Sequence, residues 1–296
     1  MKVDICVATY RRPDWLFELL QSLDAQALPH SVQVRVIIVD NDVSGSARDV
    51  VEGFQPSRVS LRYFVQPEKN IALTRNMALD HVEADMVALV DDDEVVPVSW
   101  LADLLACQKR FGADVVFGPV EGRFVAEPPT WVRKAKLFTP PRLETGAALT
   151  YGGAGNVLMH ARLIESGMRF DAKFGLTGGE DTDFFYRLSR IGHRLVWCQE
   201  AMALEKIPPA RANWRWLLRR SFRSGQIFAD IVGRPGPTMA KLAWACWRAC
   251  LLIVAVMLAL GSLLGGRGAA ARQVLKVAST AGQLSTFFRY RLQEYR

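Results

Sequence analysis

The chain lacks the residues on which most metal and covalent chemistry is built. Its five cysteines (Cys6, Cys107, Cys198, Cys246, Cys250) form no CxxC pair and are odd in number. That argues against a disulfide framework or a cysteine-based zinc site and fits a reduced, cytoplasmic setting. The four histidines (His30, His81, His160, His193) are scattered without ligand spacing. No Ser-His-Asp order, Walker-type glycine loop, internal repeat or low-complexity tract stands in the sequence. Asp4 and Arg11 arrive too early for the apolar region of a signal peptide.

What is present is a division of charge. The net charge is +7, yet residues 211–296 carry 14 Lys+Arg against two acids, Asp230 and Glu294. Residues 1–210 therefore hold 23 basic and 28 acidic side chains. An acidic body with a basic tail calls for an anionic partner at the tail, a membrane surface or a nucleic acid. A domain at 1–210 and a basic, apolar helical tail at 211–296 are the expected division.

Short β-branched runs alternate with helix-like stretches along the body. Val3–Ala8, Val34–Val39, Leu61–Val65, Met86–Val90, Asp114–Phe117, Val157–Met159 and Leu195–Trp197 read as strands. Pro13–Gln26, Leu73–His81 and a stretch from Gly178 to Arg190 read as helices, and the proline-rich region around Pro128–Pro141 as a long loop. Such alternation predicts an α/β fold with a mostly parallel central sheet. Ligands in such sheets bind beyond the carboxyl ends of the strands.

The residues at those ends are polar. Thr9-Tyr10-Arg11-Arg12 follows the first strand, Asp40-Asn41-Asp42 the second, and Asp91-Asp92-Asp93-Glu94 the fourth. Four successive acids repel one another and raise each other's pKa unless a cation sits among them. A hard divalent ion such as Mg²⁺, bound by carboxylates together with substrate phosphates, would supply that cation and stabilise a departing diphosphate. A solvated acidic turn at a helix start is the other reading of the same run. Asp40 suits hydrogen bonds from a nucleobase or ribose, and equally a turn. Arg75, early in a helix, suits a nucleotide's charge or an exposed helix surface. Gly178-Gly179-Glu180-Asp181 lets the backbone approach a substrate and sets two acids at a helix start, where Asp181 could take a proton from an attacking hydroxyl. Arg220 and Arg223 share a helix face. They could clamp a pyrophosphate or rest on a membrane.

Taken in order, these motifs resemble a family 2 glycosyltransferase of the bacterial exopolysaccharide-assembly type. The resemblance runs from Val3 to about Gly225 through VDICVATYRRP, VIIVDND, NIALTRNMAL, ADMVALVDDDE, GGED followed by TDFFYRL, and IPPARANWRWLLRRSFRSG. It implies a GT-A fold, an inverting single displacement and Mg²⁺ or Mn²⁺ as cofactor. Its base matches Asp181, with Glu180 beside it, and its metal-binding acids match Asp93 and Asp91. Its nucleotide-sugar contacts fall on Thr9, Tyr10, Arg11, Asp40, Arg75, Asp91, Asp92, Arg220 and Arg223. The acceptor side falls on Gly178, Gly179 and Trp131. UDP-glucose is the favoured donor. The Gln-x-x-Arg-Trp signature of processive synthases is absent, which favours one sugar per event. Asn70 and Thr74 stand where many members have glycine and alanine.

Two rivals fit less well. A nucleotidyltransferase would show glycines after the first strand, where Thr9–Pro13 has none. A degenerate scaffold would have lost Asp91, Asp93, Glu180 or Asp181.

From Leu242 to Gly266 the only charge is Arg248. The uncharged part, Ala249–Gly266, is at the lower limit for crossing about 30 Å of hydrocarbon. Basic residues flank it on both sides: Arg234 and Lys241 before, Arg267, Arg272 and Lys276 after. One crossing cannot keep both flanks on the cytoplasmic side. Peripheral attachment, or a re-entrant pair with Val274–Phe288, is therefore expected at the cytoplasmic face of the inner membrane, with a core helix as the alternative. The expected partners are a nucleotide-sugar donor, a polyprenyl-diphosphate-linked saccharide acceptor and an anionic membrane surface, with no nucleic acid.

Overall fold

The computed structural model describes residues 1–29, 31–233, 238–261, 267–288 and 290–293. Among the flanks weighed above, Arg234 lies outside the described residues, as does the end of the apolar run at 262–266.

The chain opens with β1 (Lys2–Thr9), α1 (Pro13–Asp24), β2 (Gln33–Asp40), α2 (Arg48–Gly53), β3 (Val59–Val65), α3 (Ile71–Asp80) and β4 (Met86–Val90). It continues through β5 (Glu94–Val95), α4 (Trp100–Phe111), β6 (Val115–Phe117), β7 (Val120–Phe124), α5 (Thr130–Ala135), β8 (Ala148–Leu149) and β9 (Asn156–His160). Then come α6 (Arg162–Glu165), α7 (Glu180–Arg190), β10 (Leu195–Trp197), β11 (Ala203–Ile207), α8 (Trp214–Ile231), α9 (Thr238–Gly261) and α10 (Arg267–Ser285). The stretch read as a long loop at Pro128–Pro141 contains α5: Pro129 caps it, and Val132 and Ala135 are buried.

Two compact units result. The first comprises Met1–Glu121 and Pro140–Glu205; the second comprises Gly122–Thr139 and Lys206–Glu294. The expected boundary at 210 thus moves to 205, and a segment carrying α5 joins the tail, because α10 packs on both α5 and α8.

In the first unit eight strands form one sheet in the order β3-β2-β1-β4-β9-β6-β10-β8. Strands β1 to β4 are parallel, in a register that sets Thr9 beside Asp40 and Asp40 beside Val65. The polar residues after these strands therefore emerge along one edge. β9 inserts antiparallel between β4 and β6, so its first residue, Asn156, pairs with Val90, the last residue of β4. This reversal brings the glycines that precede β9 to the same edge as the acids that follow β4.

Side chains alternate across the pleat. Val3, Ile5, Val7, Val36 and Ile38 meet α1 and α4 on one face, where Leu16, Leu19, Leu20, Leu23 and Trp100 are fully buried. Cys6, Ile37, Val39 and Leu89 meet α3 and α7 on the other, around Phe184, Phe185 and Leu188. Each buried leucine of α1 contributes roughly 1.5–3 kcal/mol, which fixes the loop between β1 and α1.

In the second unit α8 and α10 cross at glycines. A Cβ at Gly225 would lie 1.9 Å from the Ser279 carbonyl oxygen, and one at Gly282 would lie 1.9 Å from that of Phe222. This close packing joins α10 to α8, and α10 also packs along α9. α9 differs. Its Ala243–Gly261 stretch has a mean hydropathy of 2.1 and is only 6% buried. A core helix would bury that surface, so the core-helix alternative is not what the fold adopts.

Candidate active site

The loop after β2 is built around Asp40. Its carboxylate is fully buried and accepts from the Asp42 and Ala47 amides at 2.9 and 2.8 Å, from the Ser46 hydroxyl, and from the Tyr63 hydroxyl at 3.0 Å. Asp40, expected to meet a base or ribose, holds the loop through these bonds. Asn41 instead joins that loop to α3. Its side chain donates to the carbonyls of Gln66 and Glu68 and accepts from the Asn70 amide at 3.0 Å. Asn70 in turn caps α3 by accepting from the Ala72 and Leu73 amides.

The loop after β1 sends its two arginines apart. Arg11 has a φ of 53°, a left-handed conformation that is uncommon outside glycine. Its guanidinium reaches Asp42 at 2.6 Å and lies over the ring of Tyr10, as does Lys69 at 5.0 Å. Tyr10 therefore stands half-buried at the sheet edge with two cations beside it. Arg12 turns the other way and donates to Asp92 and Asp93 at 2.8 and 3.0 Å. Asp92 also accepts from the Thr9 hydroxyl at 2.9 Å and is 5% exposed. Thr9 and Asp92 thus hold one another. Burial pushes the Asp92 carboxyl up to about 6, with Arg12 pulling against it.

The acids after β4 divide by exposure. The Asp91 side chain is 40% exposed, whereas Asp93 and Glu94 are buried. Burial raises the Glu94 carboxyl well above its ordinary value, reinforced by Asp91, Asp93 and Glu205. One Glu94 oxygen, Oε2, has no hydrogen-bond partner. Gly155 lies directly on these acids: a Cβ there would come within 2.5 Å of Glu94 and 3.1 Å of Asp91.

Arg75 ties this edge to α7. It donates to Asp91 at 3.0 Å and to Glu180. Gly178 and Gly179, with φ of 79° and 97°, turn the chain into the helix so that Glu180 and Asp181 form its first turn. Acids there meet the positive end of the helix dipole. Burial pushes Glu180 up to about 7, with Arg75 pulling it down. Asp181 is less enclosed. One oxygen accepts from the Thr182 amide, and the other lies 3.5 Å from where a Gly153 Cβ would sit. Beside that glycine strip a cavity of about 450 Å³ is lined by Phe117, Leu143, Leu149, Tyr151 and Trp197.

Carboxylates suit a hard divalent ion, and Mg²⁺ and Mn²⁺ sites of this kind use one or two of them plus substrate phosphates. Asp91 and Asp93 fit that description. Glu94 Oε2 is a buried oxygen left over beside them, and Arg12 and Arg75 already bring positive charge to the same carboxylates. Among the described residues no three-residue His/Cys/Asp/Glu cage stands ready for a metal.

The remaining expected residues belong to the second unit. Trp131 on α5 stacks on Trp214, with centroids 4.1 Å apart. On α8, Arg220 lies 5.0 Å over the Trp216 ring. Arg12 was the residue not singled out. Two adjacent arginines read alike, and only the turn at Arg11 separates their targets.

A parallel sheet with nucleotide-loop cations, carboxylates and a helix-borne acid along one edge is the arrangement of a GT-A transferase. The chain belongs to glycosyl transferase family 2, whose profile matches residues 4–167. It is 36% identical over 248 residues to the succinoglycan biosynthesis protein ExoM of Rhizobium meliloti, an alignment spanning 82% of this chain and 79% of that one. Two solved structures share the fold at 17% identity. Staphylococcus aureus TarS 1-349 in complex with UDP-GlcNAc has a TM-score of 0.59, covering 100% of this chain and 93% of that one. The mannosyltransferase PcManGT of Pyrobaculum calidifontis with GDP-Man and Mn²⁺ has a TM-score of 0.64, covering 97% and 87%.

Proposed function

We propose that this glycosyltransferase moves a hexose, with inversion, from a nucleotide diphosphate sugar, UDP-glucose in our reading, to a hydroxyl of a polyprenyl-diphosphate-linked or growing polysaccharide. One observation carries the proposal. Arg75 bonds both Asp91, on the donor side, and Glu180, which begins the helix bearing Asp181. Arg75 thereby links the proposed donor side to the start of the helix whose second residue, Asp181, would receive the acceptor's proton.

The acceptor oxygen attacks the anomeric carbon as the bond from that carbon to the diphosphate oxygen breaks. Asp181 takes the hydroxyl proton, and the nucleoside diphosphate leaves with the bonding electrons. Asp93 and Asp91 would hold a Mg²⁺ or Mn²⁺ ion, which when bound supplies positive charge for the leaving diphosphate. Tyr10, with Arg11 and Lys69 over its ring, is assigned to the nucleotide, while Asp40 fixes the loop beneath it. The cavity walled by Tyr151 and Trp197 suits the apolar face of an acceptor sugar. Arg220 and Arg223 are assigned to the donor's diphosphate. Trp131 is assigned to the acceptor side.

The apolar, exposed α9 and the basic residues around it support attachment to an anionic membrane at its cytoplasmic face, where a lipid-linked acceptor is presented. The test is hydrolysis of a panel of nucleotide sugars by purified protein with and without Mn²⁺. Selective hydrolysis of a UDP-hexose is the expected result, and turnover indifferent to both sugar and metal would overturn the reading.

A further inference from the structure

The segment between α6 and α7 ends in the Gly178-Gly179 turn before Asp181, and α3 grips it along its length. Asn76 holds Phe170 by two bonds, its amide donating to the Phe170 carbonyl and its oxygen accepting from the Phe170 amide, each at 2.8 Å. Arg75 holds Glu180 at the other end. Between them lies a single helical turn, Ala172–Phe174, and Asn70 meets it there. Asn70 Nδ2 donates to the Ala172 carbonyl at 3.1 Å, and the Ile71 amide donates to the Gly175 carbonyl at 3.4 Å. The approach is close, since a Cβ at Gly175 would fall 1.6 Å from Asn70 Oδ1. The Phe174 carbonyl accepts from the Gly178 amide at 2.8 Å, so the turn that Asn70 holds continues into the glycines that aim α7.

The same residue reaches the nucleotide side. Its backbone amide donates to Asn41 Oδ1 at 3.0 Å, in the loop where Asp42 holds Arg11. Its neighbour Lys69 lies 5.0 Å over the Tyr10 ring. Capping α3 uses only the Asn70 oxygen, and aspartate or serine would serve there as well. The side-chain nitrogen is what capping does not explain. On a residue that is 7% exposed, that nitrogen joins α3 to the acceptor-side loop.

We infer that Asn70 is a positioning residue that couples the nucleotide loops to the turn carrying Asp181, so that a bound nucleoside diphosphate steadies the entry of the base helix. This role rests on the reading of Tyr10 and Arg11 as nucleotide contacts and of Asp181 as the base. A nucleotide that orders Tyr10, Arg11 and Lys69 also restrains the contact between Asn41 and Asn70. Asn70 passes that restraint to Ala172 through one further hydrogen bond, a continuous network of the kind that carries coupling between sites. Asp181 is then best placed when the donor is present.

The test is hydrogen exchange of the full-length protein, read over residues 170–186 with and without UDP, beside UDP calorimetry, transfer kinetics and melting curves. Asn70→Asp and Asn70→Ser keep an oxygen to cap α3 and lack the amide that meets Ala172. In wild type UDP should slow exchange across 170–186. In either variant UDP should bind with near-normal affinity, yet that slowing should be lost. Transfer kcat should fall at least about tenfold with the donor KM little changed, the scale on which misplacing a catalytic group is felt. Gly175→Ala, which presses a methyl group on Asn70 Oδ1, should lose the slowing too. A merely structural role predicts faster exchange with and without UDP alike, and leaves the effect of UDP intact. Any one of these variants that melts near wild type suffices. UDP-dependent slowing that survives in that variant, or that wild type itself lacks while binding UDP, overturns the coupling alone. If wild type binds no UDP, the nucleotide reading falls and this role of Asn70 falls with it.

Discussion

Arg75 donates from α3 to Glu180, the first residue of α7, and the same guanidinium reaches Asp91 at 3.0 Å. Arg75 is 8% exposed and Glu180 4%. Removing one member of a buried pair leaves the other uncompensated, which costs about 3–5 kcal/mol. Arg75→Ala should therefore destabilise the protein by that amount in urea denaturation and weaken UDP binding in calorimetry. Arg75→Lys should lose less stability, since it keeps the charge but not the fork that spans two carboxylates. A stability loss in Arg75→Ala below about 1 kcal/mol, the level of a surface pair, would show that the link is incidental.

The same pair gives the protein a pH dependence. Glu180 titrates at about 7 in the folded chain against an ordinary value of 4.5. Below 4.5 it is protonated in both the folded and the unfolded state. Between 4.5 and 7 the folded state keeps a proton that the unfolded state has lost, so stability falls as pH rises through this window and levels off above it. Asp92, pushed up to about 6, contributes in the same direction. Melting curves of wild type and Glu180→Gln from pH 4.5 to 8 should show wild type losing stability relative to the variant as pH rises. Parallel curves would place the Glu180 pKa at its ordinary value.

Asp181→Asn should leave UDP affinity unchanged and cut transfer at least about a hundredfold, the usual range for a general base. Asparagine keeps the shape at the start of α7 and still offers an oxygen to the Thr182 amide, so the fold should be unaffected. Single-turnover transfer separates the two roles, and a variant with near-normal chemistry would place the base elsewhere.

Much of this architecture was legible in the residues. Met86–Val90 and Leu195–Trp197 coincide with β4 and β10, because uninterrupted β-branched and apolar runs bounded by polar residues have few other uses in a sheet buried on both faces. Strand order is a different matter. Nothing in Asn156–His160 announces that β9 runs antiparallel between β4 and β6, since pairing direction leaves no mark on periodicity. The glycines before β9 were visible, but not their place on Asp91 and Glu94. The acids after β4 were found as a group, but not how they divide: Asp92, Asp93 and Glu94 are buried and Asp91 is not, and burial is a property of what folds over them. Arg12 was hidden beside Arg11 for the same reason, as a left-handed turn at one residue decided which acid each would meet.

The helix α9 gives the last prediction. Ile253, Met257 and Leu260 are 62%, 66% and 64% exposed, and their spacing of four and three places them on one face. Cutting the chain after Gly233 would remove this surface but also α10, which fills the face of α8 at Gly225, so loss of folding would obscure loss of binding. Substitution avoids that. Burying three large aliphatic side chains in the apolar edge of a bilayer contributes roughly 1.5–3 kcal/mol each when complete, and basic residues nearby add about 1 kcal/mol each at an anionic surface. Replacing all three by glutamate removes the first contribution and opposes the second, so vesicle affinity should fall at least about a hundredfold, equivalent to roughly 2.7 kcal/mol. The three side chains lie in the second unit, away from the sequence positions of Asp91, Asp93 and Asp181, so the melting temperature and slow donor hydrolysis should persist. Flotation with anionic and neutral vesicles, at low and high salt, measures the first quantity. Peripheral attachment further requires that salt and carbonate release the unaltered protein, whereas retention under carbonate would mean that α9 spans the bilayer. If the triple variant floats as well as the unaltered protein, α9 is not the anchor and the basic face of another helix must be.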